Sequence, residues 1–126
     1  MVKRVAAASV GLVSAANGLV MLAAGARWFA STPGVAATGP YNPHFVADVG
    51  AAYLVAGLAL AARSWRPAYW PAAVAGAAFF AGHALIHIAG MFGGHADHAA
   101  FEIALVIVPA ALATWAAFPA KGERGD

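Results

Sequence analysis

Four long apolar stretches dominate the chain, roughly Val5–Ala26, Phe45–Ala62, Trp70–Met91 and Ala99–Phe118. A helix needs about 20 residues, with a range of 17–25, to cross the hydrocarbon core of a bilayer. All four stretches qualify, the second barely. They lack the period-2 alternation of barrel strands, and only helices or closed barrels satisfy the backbone in lipid. The expected fold is all-α: a four-helix transmembrane bundle that forms a single domain over residues 1–126. Composition excludes the alternatives. The chain has 63% apolar and 10% charged residues, against about 45–50% and 25% in soluble domains, so it cannot clothe a water-facing surface. The same hydrophobicity excludes disorder. Cysteine is absent, which removes disulfides, thiolate metal sites and cysteine nucleophiles. The net charge of +2 is too small and too scattered to point to nucleic acid.

The first stretch follows Lys3 and Arg4, as the core of a signal peptide would. Its apolar run is about twice the usual 7–15 residues of such a core, so it reads as a retained span. Ser31-Thr32-Pro33-Gly34 and Gly39-Pro40 mark an irregular loop after it. Asn42-Pro43 reads as an N-cap with proline at the first helical position. Arg66-Pro67 closes the second stretch, Pro71 suits the opening of the third, and Gly93-Gly94 ends it. Asp97 is expected to cap the fourth helix, and Pro109 to kink it.

Orientation follows from the basic residues. Lys3, Arg4, Arg63, Arg66, Lys121 and Arg124 fall on one side of a four-span arrangement and Arg27 alone on the other. The positive-inside rule then places both termini in the cytoplasm. Trp65, Tyr69 and Trp70 mark the inner interface, and Trp28 and Tyr41 the outer one. Gly11, Gly18 and Gly25 recur every seven residues, as do Gly50 and Gly57, which predicts smooth stripes for close helix contact. The expected surroundings are a lipid bilayer, and the Gly/Ala-rich faces make a second copy of the chain a candidate partner.

All five histidines lie between positions 44 and 98, with Asp48, Asp97 and Glu102 in or beside the same region. Ionisable groups inside a membrane are costly and mark function. His44 and Asp48, His83 and His87, and His98 and Glu102 are each four residues apart, a spacing that stacks two side chains on one helix face. The topology brings the three pairs to the outer end of the bundle. At about 1.5 Å per residue, Asp48, His87 and Glu102 lie near one depth, roughly 6 Å in. His44 and His98 lie at the rim and His83 one turn deeper. His95 reads as a solvated turn residue. Asn17, in the middle of the first span, predicts a hydrogen bond between helices.

Imidazole and carboxylate donors suit a divalent transition metal such as zinc, iron, copper or manganese. His44, Asp48, His83, His87, His98 and Glu102 are the candidate ligands, enough for a tetrahedral zinc site or a small di-metal carboxylate site. In an enzyme acting on a lipid-soluble substrate, such a metal would activate a bound water or oxygen, with Glu102 or Asp48 as general base. A module that binds or senses metal is the same reading without chemistry. Transport of metal or protons is an alternative, but the inner halves of the second to fourth spans hold almost no polar groups to line a path. A haem or quinone subunit is another. His83 and His87 share a helix face and cannot ligate opposite sides of one haem, so His44 or His98 would have to join.

The run Asn42-Pro43-His44-Phe45-Val46-Ala47-Asp48-Val49-Gly50 resembles a motif of uncharacterised small four-span bacterial integral membrane proteins. The likeness covers mainly the second to fourth spans, and it implies a multi-pass protein of the bacterial inner membrane with no assigned activity. The H-x-x-x-D and H-x-x-x-E pairs also resemble ligands of zinc transporters. His83-x-x-x-His87 is similar to the pair in membrane zinc hydrolases of the ceramidase and adiponectin-receptor type, whose further spans and motifs this chain lacks. Membrane di-iron hydroxylases use more histidines, including adjacent ones that are missing here.

Overall fold

The structure, a computed structural model, describes residues 1–94, 97–120 and 123. His95, Lys121 and Arg124, which the sequence reading used, lie outside the described residues. Four helices build the fold: α1 (Val2–Ser31), α2 (Pro43–Trp65), α3 (Trp70–Phe92) and α4 (Ala99–Ala117). Each is long and apolar enough to cross a membrane, and no strand occurs among the described residues. Asn42 caps α2 as expected: its Oδ1 accepts the Phe45 N–H at 3.1 Å, with Pro43 opening the helix. Asp97 does not cap α4. His98 precedes the first turn there and makes no side-chain cap bond.

α1 continues past Ala26 to Ser31. A straight helix of its length would measure about 45 Å, against about 30 Å of hydrocarbon. It breaks at Ala24, whose φ of −141° and ψ of 39° are non-helical. Asn17 fastens the break. The Trp28 Nε1 donates to Asn17 Oδ1 at 3.0 Å, and Asn17 Nδ2 lies 3.6 Å from Met21 Sδ. Asn17 thus joins two limbs of one helix, where a bond between separate helices was expected.

The glycine stripes mesh α1 with α2. A Cβ at Gly18 would sit 2.5 Å from the Gly50 carbonyl oxygen, and one at Gly57 would sit 2.6 Å from that of Gly11. Only bare backbone permits this approach. Gly76 does the same for α3, where a Cβ would meet the Ala56 carbonyl oxygen at 2.6 Å. These glycines of α1, α2 and α3 are thus used for contacts within the chain.

One half of the bundle is a dry core. Ala7, Ala56, Leu60, Ala73, Ala77, Ala113, Ala116 and Ala117 pack together there with little or no exposure. Basic side chains close that end over helix C-termini. Lys3 Nζ and Arg63 Nη2 donate to the Phe118 carbonyl at 3.1 and 3.0 Å. Arg4 Nε and Nη2 donate to the Ser64 and Trp65 carbonyls at 2.8 and 3.3 Å. Cations placed on the last carbonyls of α2 and α4 satisfy orphan acceptors and oppose the helix dipoles.

At the other end α4 widens into a π-helical turn over Ile103–Ile107, with the Val108 N–H bonded to the Ile103 carbonyl. Pro109 explains it. Proline has no N–H, and its ring crowds the carbonyl four residues back. The disturbance expected as a kink is taken up by a wider turn.

Candidate functional site

The buried face of α3 runs through Ala73, Gly76, Ala77, Phe80 and Ala84. His83 and His87 each fall three residues beyond a member of that row, so both sit at its edge. Glu102 ends the first turn of α4, just before the wide turn. One residue more per turn rotates what precedes it by roughly 100°, and Glu102 meets α3. Its Oε2 lies 3.4 Å from His87 Nδ1, with the two side chains 17% and 31% exposed. The His83 and His87 rings meet edge to face, their centroids 4.7 Å apart. His83 also lies edge-on to Tyr53 at 5.5 Å and stacks on Phe79 at 6.1 Å.

The other three candidates stand elsewhere. His44 Nε2 and Asp48 Oδ2 are 3.4 Å apart, but their side chains are 89% and 65% exposed. The reason is register. Val46 and Gly50 set the buried face of this part of α2, and two residues along a helix is a rotation of about 200°. His44 and Asp48 therefore share a face with each other and point away from the bundle. His98 is exposed and packs on the loop after α1, its ring 3.0 Å from where a Gly34 Cβ would be.

Of the six predicted ligands, the fold gathers His83, His87 and Glu102. Among the described residues no group of three His, Asp, Glu or Cys side chains is arranged to hold a metal ion. The two imidazoles meet edge to face instead of aiming at one point. These three of the six candidates form a polar cluster beside the aromatic wall of Tyr53 and Phe79. Neutral imidazole donates one N–H and offers one lone pair, and a carboxylate accepts. At 3.4 Å the His87–Glu102 separation is slightly beyond an N–H···O bond of about 2.7–3.2 Å.

Two further residues belong to this region. Tyr53 and Ser14 line a small cavity with His83. Their signal was positional: Ser14 lies three residues after Gly11, and Tyr53 three after Gly50, on the glycine faces that turn inward. No family model matches the chain, and no curated protein or solved structure matches it either.

Proposed function

We propose that this multi-pass membrane protein performs acid–base work at the His87–Glu102 pair, with His83 as its inner neighbour. The observation that carries the reading is the 3.4 Å contact between two ionisable side chains from different membrane-spanning helices. Groups that cost so much to place in a bilayer are kept for use. The partly exposed His87 takes up a proton that reaches it from one end of the bundle, and the Glu102 carboxylate balances the imidazolium charge and accepts from its Nδ1–H. The half of the bundle beyond Phe80 is packed largely with Ala and Leu, which favours binding or catalysis over conduction. Both termini lie in the cytoplasm on this reading, so the cluster faces outward, and the resemblance of Asn42–Gly50 supports a bacterial inner membrane as its location.

A metal-binding reading stands second, favoured by the identity of the cluster: two histidines and one carboxylate are the donor set of many open iron or zinc sites. Elemental analysis of protein purified without a histidine tag separates the two. The acid–base reading expects no stoichiometric zinc, iron or copper. Stoichiometric metal that is lost in the His83→Ala, His87→Ala double variant would replace it with the metal reading.

A further inference from the structure

A cavity of about 20 Å³ lies where the four helices cross. Its polar lining is drawn from different elements: Ser14 of α1, Tyr53 of α2 and His83 of α3, closed by Leu105, Val106 and Pro109 of α4. The other hydroxyls of α2 and α4 behave differently. Ser64 and Thr114 bond back to carbonyls of their own helices at 2.7 and 2.8 Å, whereas Ser14 and Tyr53 make no such bond among the described residues.

We propose that this cavity is a binding site for a single water molecule held by Ser14, Tyr53 and His83. A water needs roughly 10–15 Å³ of such space and two to four polar partners, and the cavity offers both. An apolar void of this size would stay dry; a hydroxyl, a phenol and an imidazole around it make it wet. The water joins α1 and α2 to the His83–His87–Glu102 cluster and gives His83 a hydrogen-bonding partner on the side away from His87. It rests on the acid–base reading only for its use, since volume and lining stand without it.

The test is water-to-protein magnetisation transfer in the full chain reconstituted in bilayers, read at Tyr53 and His83 and referenced to the core residue Ala113. The expected result is transfer at both rings severalfold above that at Ala113. It should be lost in Ser14→Val, which fills the space and removes a partner. If Ser14→Val does not fold, Tyr53→Phe keeps the volume and should lower the transfer at His83. Glu102→Gln should leave the signal in place, so a dry cavity and a failed His87–Glu102 pair read out separately. Transfer in the wild type no greater than at Ala113, or contact with lipid methyl groups instead, would overturn the proposal.

Discussion

Among the described residues Arg63 is the most deeply buried charge, with 0% of its side chain exposed. It is held by the Phe118 carbonyl and by Glu123 Oε2 at 2.8 Å, while its Nε and Nη1 are buried without a partner among the described residues. Glu123 also accepts the Ala120 N–H at 2.8 Å. That backbone bond, followed by the charge of Arg63, holds the Glu123 carboxyl below its ordinary value. A group with a lowered folded value stabilises the fold fully above the ordinary carboxylate range, and the contribution is lost as pH falls through the lowered value. Resistance to unfolding in detergent should therefore decline on acidification in that window, and Glu123→Gln should flatten the decline. Sequence located His83, His87 and Glu102 because polarity inside an apolar run is conspicuous. It misplaced His44, Asp48 and His98, because an i,i+4 pair shows which side chains share a face and not where that face points. For α2 the missing information was in Gly50, whose stripe defines the inward side.

At the level of elements, the number of spans and most helix ends were legible, since apolar length and the Asn42-Pro43 and Arg66-Pro67 signals are local. The break at Ala24 was not. Nothing in Ala23-Ala24-Gly25 marks it, and it follows from an overlong helix fastened by Asn17 and Trp28. The glycine stripes were legible as contact surfaces, and the structure supplies the partner. Gly18→Ala forces a methyl against the Gly50 carbonyl and should cost about 1–3 kcal/mol in a reversible unfolding assay, the usual range for overpacking. Gly82→Ala is its control. Nothing lies within 4 Å of a Cβ there, so stability should hold or rise by up to the glycine-to-alanine helix gain of about 0.5–1 kcal/mol. A comparable loss in both would mean that α1 and α2 do not mesh as described.

For the whole molecule, a polar cluster at one end and a dry alanine core at the other define a one-sided protein. Its orientation is testable directly, because the chain has no cysteine and single-cysteine variants carry no background. An impermeant thiol reagent added from outside should label Thr38→Cys, in the loop after α1, and fail to label Ala68→Cys, between α2 and α3. The reverse pattern would place the cluster toward the cytoplasm. The central claim is that His87 and Glu102 act as one proton-sharing pair, and ¹⁵N spectroscopy of His87 in bilayers tests it most directly. The account predicts a protonated Nδ1 facing Glu102 in the wild type and a changed Nδ1 signal in Glu102→Gln. An identical His87 spectrum in the two proteins would contradict it.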